Sequence, residues 1–137
     1  MLISGMFLKA NEVRIVTLSG TRADHQLVAP KRNKLTLIKN PTQEEVRLFG
    51  EQVKAFCLEH GIDKVVLNRR ASKGQGAGGA GTFLMEGVIL ALSPATVELV
   101  HPATVRATDK RTSDMKVLKP KTVDLGKAYD LAFELLD

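Results

Sequence analysis

Cysteine is almost absent: Cys57 stands alone among 137 residues, which excludes a disulfide framework and any multi-cysteine metal centre. There is no tryptophan and one tyrosine, and aromatic residues make up 4% of the chain, too little for the stacking platforms that bind single-stranded nucleic acid. No apolar run approaches the roughly 18 residues of a membrane span. Met1 to Leu8 has no basic segment ahead of its apolar stretch, and Lys9 and Glu12 soon interrupt it, so it reads as a strand rather than a leader. A cytoplasmic protein with no membrane partner is expected. His25, His60 and His101 form no HxH or HxxxH pair, and none shares a motif with a serine or with Cys57. The expectation is therefore no metal site, no cofactor and no nucleophilic triad, with each histidine structural.

Acids are also outnumbered. Twenty Lys and Arg against 15 Asp and Glu give a net charge of +5. The bases are grouped. His25 to Gln43 holds Lys31, Arg32, Lys34 and Lys39 with no acid, and Lys64 to Thr82 holds Lys64, Arg69, Arg70 and Lys73 with no acid. Pro102 to Lys121 holds six bases against Asp109 and Asp114. On one face these segments would form a polyanion-binding surface; apart, they are solvated loops. With 44% hydrophobic and 26% charged residues, the chain has the composition of one globular domain spanning 1–137.

The pattern of elements is β-β-β-α-β-α-β-α-α. Met1–Leu8 and Val13–Leu18 predict two strands joined by a short turn, hence a hairpin. Residues 21–33 are polar and contain Pro30, predicting an irregular connection before a third strand over 35–39. Pro41 and Thr42 with Glu45 make a capping box, and Val46, Phe49, Val53, Phe56 and Cys57 follow at helical spacing up to a stop at Gly61. Val65–Leu67 reads as a buried strand, Phe83–Leu92 as a helix buried on most sides, and Thr96–Val100 as a fifth strand. A short helix over 103–107, a mobile basic segment over 108–121 and a last helix over 123–136 complete the chain. An antiparallel meander followed by alternating helices and strands predicts a mixed five-stranded α/β sheet with helices on both faces.

Between the fourth strand and the next helix lies Gly74-x-Gly76-x-x-Gly79, with Gly78 and Gly81 beside it. As a dinucleotide fingerprint it is poor. Glu98, the acid some 20 residues on, is mid-strand, and a three-stranded meander leaves too few βαβ units. As an anion site it is better founded, since Arg69, Arg70 and Lys73 run into Gly76, Gly78 and Gly79 at a helix start. A glycine loop that merely packs closely on the sheet fits the same residues.

Four stretches carry a resemblance. These are Ile3-Ser4-Gly5-Met6-Phe7 with Val13–Leu18, Lys64 to Arg70 with Lys73-Gly74 and Ala77-Gly78-Gly79, His101 to Arg106, and Ala128-Tyr129-Asp130-Leu131-Ala132. With the order of elements they resemble the ribonuclease H-like fold, within it the RuvC-type Holliday-junction resolvases, and more closely an uncharacterised bacterial family of that shape. The resemblance implies a nuclease with two divalent metals held by converging carboxylates. It places the first acid at Phe7 and the second at Asn68 or Arg69, neither of which is an acid. Only Asp130 matches the acid of the last helix, with Glu86 on the preceding one. Metal-dependent cleavage is therefore not expected. Phe7 is expected to lie buried beneath the helix of Phe83 to Leu92.

Three functions remain open at this stage. The first is binding of nucleic acid, by the backbone of a duplex or junction, through Arg69, Arg70, Lys73, Gly76, Gly78, Gly79, Arg106, Lys110 and Arg111. The second is binding of a nucleotide or phosphorylated metabolite at the same loop. The third is a structural role as a homodimer.

Overall fold

The computed structural model describes residues 1–70 and 79–137. Lys73, Gly76 and Gly78 lie outside the described residues. Strands β1 (Leu2–Lys9) and β2 (Glu12–Gly20) form the expected hairpin, in register from Leu2 opposite Ser19 to Lys9 opposite Glu12. The two-residue turn holds Ala10 at a φ of 55°, the left-handed conformation that tight hairpin turns require. Residues 21–33 are not all loop: β3 (His25–Val28) pairs with the far end of β2, while the short β4 (Lys34–Thr36) pairs with its near end. The sheet thus has six strands rather than five. The missed strand has no apolar alternation because His25 is its only buried residue.

Helix α1 (Gln43–His60) begins at the reciprocal capping box of Thr42 and Glu45 and ends on left-handed Gly61 at φ 63°. The chain then enters β5 (Lys64–Asn68), parallel to β1, crosses through α2 (Ala80–Leu92) and returns in β6 (Thr96–Val100), parallel to β5. The strand order is β3-β2-β1-β5-β6. Helix α3 (Pro102–Thr112) is twice the expected length: it starts where His101 Nδ1 accepts from the Ala103 amide with Pro102 in the first turn, and it runs on through the polar residues up to Thr112. A single 3-10 turn (Ser113–Met115) leads on towards α4 (Val123–Glu134).

Strand alternation divides the core. Met6, Leu8, Val13, Ile15 and Leu67 face α1 and α2, meeting Phe49, Val53, Phe56, Met85 and Ile89. Ile3, Val16, Leu18 and Val66 face α4, meeting Ala128, Leu131, Ala132 and Phe133. Gly5 lies on this second side, where a Cβ would come within 2.0 Å of the Ala128 carbonyl oxygen. Helix α2 is less enclosed than its composition suggests: only Thr82, Met85 and Ile89 are buried, Leu84 and Leu90 are exposed, and Leu92 leans on Gly50 of α1. Among the described residues, no helix is long and apolar enough to cross a membrane.

Candidate functional site

Because β1, β5 and β6 run parallel, their C-terminal ends share one sheet edge. Ligands of open α/β sheets bind at such edges. Here β1 ends in Phe7, Leu8 and Lys9, β5 in Asn68 followed by Arg69 and Arg70, and β6 in Val100 before Pro102 and Arg106 of α3. Helix α4 closes the far side with Lys127 and Asp130. Together they enclose a cleft of about 670 Å³.

Local chemistry determines how each side chain stands. The ladder between β1 and β5 stops at Met6 opposite Leu67. Asn68 extends it with its side chain: the Leu8 amide donates to Oδ1 at 2.8 Å, and Nδ2 donates back to the Leu8 carbonyl at 3.2 Å. A carboxylate here could accept the first bond but would face the carbonyl with no proton to give. Arg69 is exposed at the cleft, its amide tied to the Val100 carbonyl at 2.9 Å.

Arg70, expected beside Arg69 as a phosphate contact, turns inward instead. Its Nη1 donates to the Leu8 carbonyl at 2.9 Å, its guanidinium lies 5.2 Å from the Phe83 ring centroid, and Nη2 is 4.0 Å from Glu86. Burial lowers its pKa, and the attraction of Glu86 works against that. Glu86, one of the two residual acids, is thus occupied with Arg70 and does not line the cleft. Arg106 is exposed on α3 and lines the cleft, whereas Lys110 and Arg111, in the last turn of α3, are exposed beyond it. Gly79 caps α2 at a φ of −78°, with no neighbour near where a Cβ would stand.

Phe7 is not beneath α2. Alternation points Met6 and Leu8 to that face and Phe7 to α4, where it is half-buried with the Lys127 ammonium 5.1 Å from its ring centroid. Asp130, the other residual acid, is also taken. Lys116 Nζ donates to Asp130 Oδ1 at 2.9 Å and to Asp109 Oδ1, and lies 5.1 Å from the Phe133 ring centroid. The Lys116 side chain is only 9% exposed, so 108–121 is anchored where a mobile segment was expected. Burial alone would lower the Lys116 pKa, but hydrogen bonds and attraction from Asp109 and Asp130 outweigh it and the net shift is upward. Neither Lys116 nor Lys127 was singled out by sequence reasoning. Lys127 lies one helical turn before Asp130, which is the only signal that could have found it.

The family described as protein of unknown function (DUF3010) matches residues 1–135. The chain belongs to that family. No curated protein matches it. Among solved structures, RuvC of Thermus thermophilus superposes with a TM-score of 0.78 at 13% identity, over 98% of this chain and 92% of that one. The same organism's RuvC in complex with a Holliday junction substrate gives 0.74 at 14% identity, over 98% and 91%. At such identities the likeness establishes the fold, which is the RuvC-type, ribonuclease H-like one expected from the sequence.

The two-metal site that this fold implies does not suit the residues of this DUF3010 chain. None of Phe7, Asn68 and Arg69, the positions the resemblance assigns to strand acids, carries a carboxylate, the Lys127 ammonium lies over the Phe7 ring, and Lys116 already fills the space between Asp109 and Asp130. Among the described residues, no cluster of three or more histidine, cysteine or acidic side chains is placed to hold a metal ion. The Lys116 ammonium held between Asp109 and Asp130 would repel a divalent cation directly.

Proposed function

We propose that this domain binds the sugar-phosphate backbone of a nucleic-acid duplex or junction in the basic cleft, without metal-dependent cleavage. One observation carries the reading. Arg69, Arg106 and Lys127 line a cleft whose two acids, Asp109 and Asp130, are both engaged by Lys116. The ion pairs among the described residues leave those three cations without a carboxylate, while Lys9 at the rim pairs with Asp124 at 3.6 Å. Unpaired guanidinium and ammonium groups around a cleft with no net acid suit phosphate oxygens. A structural relative bound to a Holliday junction supports the polyanion class.

The test is salt dependence. Each phosphate contact adds about 0.9 to the slope of log K against log salt on duplex DNA, so Arg69→Ala with Arg106→Ala should lower the slope by about 2 and weaken all sequences alike. An unchanged slope with unchanged affinity would refute the reading. A cleft of this volume also lies within the range of small-molecule sites, which keeps a nucleotide or phosphorylated metabolite as the second reading. In that case a mononucleotide binds at micromolar levels and duplex binds weakly at physiological salt. The exposed leucines of α2, Leu84 and Leu90, support the homodimer as a third. Sedimentation at several concentrations tests it.

The absence of cleavage has its own measurement. Calorimetric titration with Mn²⁺ should give no sub-millimolar site, and a junction-cleavage assay with Mg²⁺ or Mn²⁺ should give no product. Tight Mn²⁺ binding together with cut junction would sink the proposal that the chemistry is lost.

A further inference from the structure

A second cleft, of about 560 Å³, lies between the edge strand β3 and the segment that precedes α4. Its floor is apolar, with Val16 from β2, Leu27 and Val28 from β3, Leu118, and Leu125 and Tyr129 from α4. Its charged lining is of one sign: Lys31, Lys119 and Lys121, with no acid among the residues that line it. All three lysines are exposed, and the ion pairs among the described residues include none of them.

The walls are held in place. Pro30 and Pro120 stand on opposite sides with φ restricted by their rings. The Tyr129 hydroxyl lies 2.7 Å from His25 Nε2 and 3.4 Å from the Leu118 amide, which donates to it. The Lys116 clamp secures the chain two residues before Leu118. A formed apolar trough with an all-cationic rim does two different things to a ligand. It removes apolar surface from water, and it attracts a negative head without competition from nearby carboxylates. Nucleic acid meets only the second condition.

We infer that this cleft binds a free single-chain amphiphile with one anionic head, carboxylate or phosphate. The apolar body would lie along Val16, Leu27 and Leu125, and the head among Lys31, Lys119 and Lys121. The volume falls within the range of small-molecule sites and leaves room for a body of about ten carbons. This site is separate from the basic cleft beside Arg69, so it stands or falls independently of nucleic-acid binding.

The experiment is calorimetry on the whole chain with sodium decanoate and decyl phosphate below their micelle concentrations. Decyltrimethylammonium and butyrate are the comparisons. Both ten-carbon anions should bind with 1:1 stoichiometry. The cationic amphiphile and butyrate should bind at least tenfold more weakly. Lys119→Glu with Lys121→Glu should weaken decanoate at least tenfold and leave the thermal midpoint near the parent, since both side chains are exposed. Leu27→Asp, also at an exposed position, should weaken both anions similarly. Equal binding of the cationic amphiphile, or decanoate affinity unchanged in both variants, overturns the proposal. Binding to vesicles of anionic phospholipid with none to monomeric decanoate overturns it too, in favour of a membrane surface.

Discussion

Gly5→Ala is expected to unfold much of the population at temperatures where the parent is native. A Cβ at position 5 would stand 2.0 Å from the Ala128 carbonyl oxygen and 2.7 Å from the Ala132 amide nitrogen. Both are backbone atoms of α4, so no rotamer change relieves the clash, and the helix must lift from the sheet. That helix buries Ala128, Leu131, Ala132 and Phe133 against β1 and β2, and lifting it loosens one side of the core. Overpacking against backbone belongs at the upper end of the usual range, about 3 kcal/mol, which is roughly 10 °C in thermal midpoint for a domain of this size. Gly126→Ala is the matched control. It lies on the same helix with no atom within 4 Å of the added methyl, and should stabilise by up to about 1 kcal/mol through helix propensity. Thermal melts followed by circular dichroism compare the two, and equal midpoints for Gly5→Ala and the parent would show that α4 does not rest on Gly5.

Lys116→Met should cost about 2 kcal/mol, less than for a fully buried pair because Asp109 and Asp130 are partly solvated. Methionine keeps an apolar stem beside Phe133 and removes only the charge, leaving two carboxylates facing each other across the vacated position. The pH dependence separates charge from packing. The folded-state pKa of Lys116 is raised above its ordinary value. Its contribution is therefore complete below the unfolded lysine pKa, near 10.4, and fades as pH rises through the higher folded value. The difference between parent and variant in urea denaturation should be constant from pH 7 to 9 and shrink above about 10.5. A difference that does not change up to pH 11 would mean that the ammonium charge of Lys116 is not what the variant loses.

Much of this architecture is legible in the chain itself because it rests on contacts close in sequence. Thr42, Glu45 and Gly61 mark the ends of α1 by bonds within one turn. Alternating apolar residues mark β1 and β2, and a two-residue turn admits only a hairpin. β3 was hidden because it has one buried side chain, and the length of α3 was hidden because its body is polar and exposed. The apolar composition of α2 pointed to burial, but Leu84 and Leu90 stay partly open to solvent, and periodicity cannot register a missing neighbour.

The candidate site divides along the same line. The sequence by itself determined that Phe7, Asn68 and Arg69, where the resemblance places carboxylates, are not acids, and that bases cluster after β5 and β6. Strand order then brings Arg69 and Arg106 to one edge, which parallel pairing of β5 with β6 requires. Three matters were decided only in the tertiary structure: that Arg70 turns inward to Leu8 and Glu86, that Lys127 covers Phe7, and that Lys116 binds Asp109 and Asp130. The physical reason is common to all three. A long cationic side chain can reach any carboxylate, carbonyl or ring within its radius, and which of these lies within reach depends on how α2, α3 and α4 pack around the sheet edge, a relation between distant segments that no local pattern of residues encodes.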